Sequence, residues 1–328
     1  MADDEQINNL SIKIAEGVQR IFSGENFKNY LNSVSVFHDF SMRNNMLIYM
    51  EKEKATFVAE YDEWKKVNRF VKRGEKGIPI YVPSTVMVKK EKQLTDKYGK
   101  PKLSAHGTPI TEQVKETRIL FSVHHVYDIS QTDGEPLPRI CNELQGEVKD
   151  YVNIFQALKN ICPYQISFEK IYSGAKGYCS FEKQKIALAL GMSEEQIIKT
   201  LIHEFAHAVL HQASEKSEEQ KEVEAESVAY IVSNFLGLDT SSYSFDYIAD
   251  WSCGMELYKL QGILENIQSS ANEIIHLLQD EMKTLEITQD QQVTKPENLQ
   301  DRLKQAAEKS TEKKLDKGAN LFEKSRVQ

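Results

Sequence analysis

The chain has 328 residues, 40% of them hydrophobic and 27% charged, with a formal net charge of −8. That make-up suits a soluble globular protein of about two domains and excludes a collagen, a disulfide scaffold or a disordered chain. No apolar run reaches the ~18–20 residues of a membrane helix, so no membrane partner is expected. The amino terminus MADDEQINN lacks the cationic and apolar stretches of a secretory signal. The four cysteines, Cys141, Cys162, Cys179 and Cys253, form no CxxC pair, so a cytoplasmic protein without a thiolate metal site is expected.

Over the first ~50 residues Ile7, Leu10, Ile14, Val18 and Ile21 recur at helical spacing. Further helical stretches cover 41–49 and 61–67. After Gly74 and Gly77 the texture becomes β, at 78–82, 86–92 and 119–127, with turn residues at Tyr98-Gly99 and at Thr132-Asp133-Gly134. Between Tyr61 and Lys102 twelve basic residues face five acidic ones, although the chain as a whole is acidic. Pro136 and Pro138 mark a boundary. A new helix starts near Val148, 178–181 and 186–190 suggest a hairpin, and Ser193 with Gln196 forms a capping box that opens the next helix. Beyond about Glu286 the apolar period fades into a charged tail. The expected architecture is α+β in two domains, an N-terminal module over 1–138 and a C-terminal domain over 148–285, followed by a tail over 286–328.

The sharpest signal is His203-Glu204-Phe205-Ala206-His207. Residues four apart stack on one helix face, so the two imidazoles aim at one point and can share one cation. Zinc suits such ligands, and a catalytic zinc keeps three protein ligands and an open position. Glu204, one step round the helix, is expected to act as general base and acid in peptide hydrolysis. The third ligand is sought in Glu222-Val223-Glu224-Ala225-Glu226, where Glu222 and Glu226 share a face and Glu224 points elsewhere. Glu222 is expected as the ligand and Glu226 as the group orienting an imidazole N–H, with Glu226 as alternative ligand. His211 is expected as a surface histidine at the helix end. Residues 185–190 are expected as a sheet edge to which substrate adds a strand, and Tyr243, Tyr247 and Trp251 as cleft lining or core.

Several stretches resemble a known family. Tyr30 to Ile48, Phe57-Val-Ala, Trp64-Lys-Lys, Val71-Lys-Arg-Gly-Glu-Lys-Gly77 and Val126-Tyr-Asp-Ile-Ser-Gln-Thr-Asp-Gly-Glu-Pro-Leu-Pro138 are similar to the N-terminal domain of ArdC-type antirestriction proteins. The C-terminal half resembles that family's metallopeptidase domain, akin to the ImmA/IrrE group. The resemblance implies single-stranded DNA binding, carriage on conjugative elements, and a glutamate three residues before an alanine as third ligand, here Glu222 before Ala225. The residues support DNA binding in their own right. Lys65, Lys66, Arg69, Lys72, Arg73 and Lys76 could meet phosphates, Arg43, Asn44 and Asn45 could add polar contacts, and Trp64, Phe70 and Tyr81 could stack on bases. The expected partners are therefore single-stranded DNA and a protein substrate of unknown identity. A regulatory peptidase acting on a repressor or restriction subunit, and a DNA-binding protein with a purely structural zinc, are the alternatives.

Overall fold

The structure is a computed structural model that describes residues 2–22, 25–95, 97–98, 100–104, 106–137 and 151–290. Gly99, Pro138, Cys141, the helix onset near Val148 and the tail beyond 290 lie outside the described residues. The fold mixes helices and strands, as expected, and no described helix is long and apolar enough to cross a membrane. By packing, the chain falls into two units, residues up to 17 with 46–135, and 18–45 with the part beyond 135. The division meets the proline-rich stretch and also passes through two helices, α1 (Ala2–Ile21) and α3 (Met42–Glu51).

In the first unit α1 buries Leu10 and Ile14. It lies so close to α3 that a Cβ on Gly17 would sit 2.7 Å from Met46 Sδ. The rest comprises β1 (Val58–Glu60), α4 (Tyr61–Lys66), β2 (Arg69–Val71), β3 (Ile78–Gln93), β4 (Thr111–Asp128) and β5 (Thr132–Gly134). One antiparallel sheet has the order β1-β4-β3, and β2 pairs with β5. The two strands expected at 78–82 and 86–92 are one. β3 runs unbroken through Pro83 because it is an edge strand, where a missing N–H costs the ladder least. β4 likewise begins at Thr111 rather than near 119, since its polar outer half shows no apolar alternation.

Asp128 closes this unit. Its Oδ1 accepts from Thr56 N at 2.9 Å and Phe57 N at 3.2 Å, and its Oδ2 from Ser130 N at 2.9 Å. Gln131 completes a capping box: its side-chain oxygen accepts from Asp128 N, and its Nε2 donates to Glu75 and to the Lys76 carbonyl. One carboxylate thus ties β1, β4 and the turn before β5 to a single geometry.

The second unit contains α2 (Glu25–Val36), α5 (Tyr151–Ile161), β6 (Gln165–Glu169), β7 (Gly177–Ser180), β8 (Lys185–Ala189), α6 (Glu194–Leu210), α7 (Glu218–Phe235), α8 (Ile248–Ser252) and α9 (Leu257–Asp290). α7 is the centre. It packs against α6, α2 and α9, and Val223, Ala225, Val228, Ala229, Ile231 and Val232 are wholly buried. α2 is pinned to it by Tyr230 Oη donating to Asn32 Oδ1 and Asn234 Nδ2 donating to Ser35 Oγ, each at 2.6 Å. The small sheet has the order β6-β8-β7, with β8 parallel to β6 and antiparallel to β7. The suggested hairpin forms, with Tyr178 opposite Ala187. Residues 185–190 are however not an edge: β8 is the central strand, and the edges are β6 and β7.

Burial works against a charge on Asp128, but the bonds from Ser130, Thr56 and Phe57 outweigh it and hold the carboxyl below the usual aspartate range. Because its folded pKa lies below the unfolded one, its stabilisation is complete above about pH 4 and is lost as pH falls through the folded value. Asp128→Asn should therefore cost on the order of 2 kcal/mol near neutrality, with the deficit shrinking below about pH 4. Denaturant titrations of both proteins across that range decide it, and a deficit that does not change with pH would refute the assignment.

Candidate metal centre

α6 is capped by Ser193, whose hydroxyl accepts from Gln196 N. The reciprocal half of the expected box is not formed, since Gln196 spends its side chain on Lys176 and Thr200. From the buried middle of the helix His203 and His207 project one turn apart, their Nε2 atoms 3.1 Å from each other. α7, capped by Ser217, brings its carboxylates to meet them. Glu222 Oε2 lies 3.5 Å from His203 Nε2, and its Oε1 lies 3.4 Å from His207 Nε2. A tetrahedron with arms of ~2.0–2.1 Å has edges of about 3.3–3.4 Å, close to the separation of each imidazole from one oxygen of the carboxylate, and one donor atom from each of the three residues lies within 4.8 Å of the others, so the cluster could hold one small divalent cation. They form one of two such donor groups among the described residues.

Glu226 turns to the far side of the ring, its Oε2 3.1 Å from His203 Nδ1. Of the two glutamates considered, Glu222 therefore faces the shared point and Glu226 faces the back of an imidazole. His207 is backed by a longer chain that the sequence reading missed. Its Nδ1 is 2.9 Å from His211 Nδ1, and His211 Nε2 is 3.1 Å from Glu224 Oε2. His211 is not a surface histidine: it is 2% exposed. Glu224 does point away from the imidazole pair, but into the interior at 0% exposure, where Lys216 Nζ donates at 2.7 Å and Gln220 Nε2 at 2.9 Å. The continuing i, i+4 stripe from His203 through His207 to His211, and a glutamate between Val223 and Ala225, were the available signals.

The carboxylates around the two imidazoles dominate the electrostatics of this cluster. Burial disfavours a charge on His203, yet hydrogen bonding to Glu222 and Glu226, with Glu204 nearby, raises its pKa to about 10. His203 and His207 together hold the Glu222 carboxyl far below the usual range against its own burial. Glu204 is different: burial pushes it up to about 7, with His203 opposing and Glu222 adding to the shift. Tyr247, half exposed, has its phenol pKa raised by burial and by the charges of Glu226 and Glu222, so it borders the centre. Tyr243 is buried against Tyr230 and is core.

The residues expected to contact DNA separate into two groups. Trp64 is 1% exposed and donates to the Tyr127 carbonyl at 2.9 Å, and Tyr81 is buried with its hydroxyl on the Ile7 carbonyl. Asn44 and Asn45 are buried in α3, where Asn45 Nδ2 donates to Phe37 O. Arg69 is buried and spends its guanidinium on Thr132, on the Thr132 carbonyl and on the Glu135 carbonyl. These side chains hold the fold and are not free to meet a strand. Arg43, Lys65, Lys66, Lys72, Arg73 and Lys76 are exposed, and Phe70 is 57% exposed beside them in sequence. Lys65, Lys66 and Lys72 pair with Asp62, Glu63 and Asp133.

A family described as the N-terminal domain of anti-restriction factor ArdC matches residues 5–127. An uncharacterized protein of Bacillus anthracis, pXO2-81, is 24% identical over 313 residues, covering 86% of this chain. The chain spans about half the length of that curated relative, 53%. Two crystal structures of the antirestriction ArdC protein from the R388 plasmid are similar over 74% of this chain. The metal-free one has 19% identity, a TM-score of 0.43 and 84% of its length covered. The Mn(II)-bound one has 18% identity, a TM-score of 0.42 and 83% covered.

β7 runs close under α6, and Gly177 makes this possible. A Cβ there would lie 2.7 Å from Thr200 Cγ2, 3.0 Å from Ala187 O and 3.1 Å from Glu204 Oε1. Gly177→Ala should force strand and helix apart and cost about 1–3 kcal/mol. Gly262, inside α9 with nothing near its missing Cβ, gives the control: Gly262→Ala should gain about 0.5–1 kcal/mol. Thermal melts that move in the same direction for both would contradict this account.

Proposed function

We propose that this chain, which is ArdC-like through its N-terminal domain, is an antirestriction protein of a mobile genetic element that joins a single-stranded-DNA-binding module to a zincin-like, zinc-dependent metallopeptidase. The observation that carries the peptidase half is the convergence of His203, His207 and Glu222 on one point beside a buried Glu204 that is turned to neither imidazole's back. Three ligands with an adjacent uncommitted carboxylate favour a catalytic over a structural ion, because structural zinc sites are closed by four protein ligands.

In this reading His203 Nε2, His207 Nε2 and the Glu222 carboxylate hold the ion, and Glu226 is a positioning residue, not a ligand. The ion supplies Lewis-acid polarisation of the scissile carbonyl and makes a water more acidic. A ring that offers Nε2 as a lone pair carries its proton on Nδ1. His203 then donates to Glu226, and His207 donates to His211, whose Nε2–H donates to Glu224. These bonds fix both ring planes and make the imidazoles better donors to a cation. The Glu204 carboxylate takes a proton from the attacking water and returns it to the leaving amine. β7, an edge of the small sheet beside α6, replaces 185–190 as the strand against which an extended peptide can pair. Tyr247, whose phenol feels the charges of Glu226 and Glu222, is the proposed donor toward a substrate oxygen.

Glu204→Gln should take up the ion as wild type does and hydrolyse a labelled unfolded protein about 10²–10⁴-fold more slowly. Equal turnover by the two proteins, or wild-type turnover that survives chelation, would end the peptidase reading.

For DNA the proposed surface is Lys65, Lys66, Lys72, Arg73 and Lys76 with Phe70 as a stacking platform. Arg43 is a further exposed cation. Arg73 and Lys76 have no ion-pair partner among the described residues, so they give up least on meeting a phosphate. Binding of a labelled single strand should weaken as salt rises, and Arg73→Ala and Lys76→Ala should each lower the salt slope by about one. Phe70→Ala should cost about 1–3 kcal/mol at all salt concentrations. Affinity that is indifferent to salt in anisotropy titrations would remove this surface.

A further inference from the structure

A second group of donors lies elsewhere in the same packing unit. After α2 ends at Val36 the chain turns through Phe37-His38-Asp39-Phe40 before α3 begins. The turn is tightly held: Phe37 N donates to Ser33 O at 2.9 Å, Phe40 N to Phe37 O at 3.0 Å, and Asn45 Nδ2 to Phe37 O at 2.9 Å. α9 holds it from the other side, with Gln268 Nε2 donating to Phe40 O. Gln268, Asn272 and His276 follow at intervals of four, and so lie along one helix face. His276 extends this row to place its Nε2 2.8 Å from Asp39 Oδ1, and His38 Nδ1 lies 3.4 Å from the same oxygen. One donor atom from each of the three residues lies within 4.8 Å of the others.

An ion pair between Asp39 and His276 explains part of this arrangement, and His38 adds only a longer, poorly directed contact to the same carboxylate and to Asn272. His38 is only 9% exposed, and its Nδ1, 3.4 Å from Asp39 Oδ1, is buried without a well-formed hydrogen bond. Asn272 Oδ1, on the same row of α9, is also buried and unpartnered. Buried polar atoms are nearly always satisfied, and each one that is not costs about 1–3 kcal/mol. The His38 ring is fixed edge-on against Phe235 at 5.1 Å and stands at 89° to the His276 ring. A preset imidazole with a nitrogen that lacks a well-formed hydrogen bond, a second imidazole and a carboxylate, gathered at a braced turn, are the parts of a metal site.

We infer that His38, Asp39 and His276 bind a divalent transition-metal ion at a site separate from His203, His207 and Glu222. Two imidazoles and one carboxylate select zinc-like or cobalt-like ions over magnesium and calcium, which prefer all-oxygen shells. Asp39 and His276 are largely exposed, so the ion enters from solvent and water completes its shell. Bound there, it staples the α2–α3 turn to α9 and stabilises the fold in proportion to its concentration.

The test uses full-length protein stripped with chelator and then dialysed to equilibrium against micromolar Zn2+ or Co2+. His276→Ala should bind one fewer ion per chain than wild type, and should lose most of the metal-induced rise in melting temperature that His207→Ala retains. The variant combining both changes should lose both ions. His276 is half exposed on a helix, so alanine there should leave the metal-free melting temperature unchanged. If it does not, Asp39→Ala on the exposed turn reports the same loss. If the first centre takes no metal, wild type binds one ion and His276→Ala none, which keeps the two sites distinguishable. Equal uptake by wild type, His276→Ala and Asp39→Ala overturns the inference.

Discussion

The candidate centre depends on how closely α6 and α7 approach. Ligands from two helices can share one ion only if the helix axes are near enough for a glutamate on one to reach imidazoles on the other, and that separation is set by the side chains between them. On α7, Ala225 and Ala229 follow Glu222 by three and seven residues and so share its face, and on α6, Ala206 lies three beyond His203. All three are wholly buried. Small residues on the faces that carry the site side chains let packed helices approach closely.

This closeness forces four carboxylates into one region, and their roles diverge with their surroundings. Glu224 is fully buried and stays ionised because His211, Lys216 and Gln220 all donate to it, which is the condition for a buried charge to be tolerable. Glu226 is partly exposed and spends an oxygen on a ring nitrogen. Glu222 is the most exposed of the three on α7 and has two imidazoles in front of it. Glu204 is buried with a lone opposite charge nearby, and burial dominates its behaviour. A network that fixes both rings before any ion arrives reduces the reorganisation that binding requires.

Much of this was legible in the sequence because helical geometry is local. Four-residue spacing put His203 with His207 and Glu222 with Glu226, and no tertiary information was needed to see that either pair shares a face. His211 obeys the same spacing, but its burial comes from residues 211–217 folding back so that Lys216 and Glu224 enclose it, which no local pattern encodes. Strand neighbours were hidden for a similar reason. The run 185–190 reads as apolar strand whether it is central or at an edge, and only the parallel pairing with β6 decides it. Arg69 shows the limit of charge counting: its guanidinium answers the backbone carbonyls of a neighbouring strand, and in a tally of basic residues it is indistinguishable from Arg73.

The longest-range feature is α2. Phe27, Tyr30, Leu31 and Val34 are buried, and Asn32 and Ser35 bond to Tyr230 and Asn234 of α7, some two hundred residues later in sequence. Sequence similarity and packing therefore divide the chain differently: the match to the ArdC N-terminal domain runs through 5–127, while α2 packs with the helix that bears Glu222. Tyr230 and Asn234 stand two and three turns beyond Glu222 on α7, at the end that α2 holds. A helix transmits a tilt along its whole length, so the contacts with α2 help set where the carboxylates at the other end fall. The position of Glu222 in front of His203 and His207 is thus fixed partly by residues near the start of the chain, although none of them touches the centre.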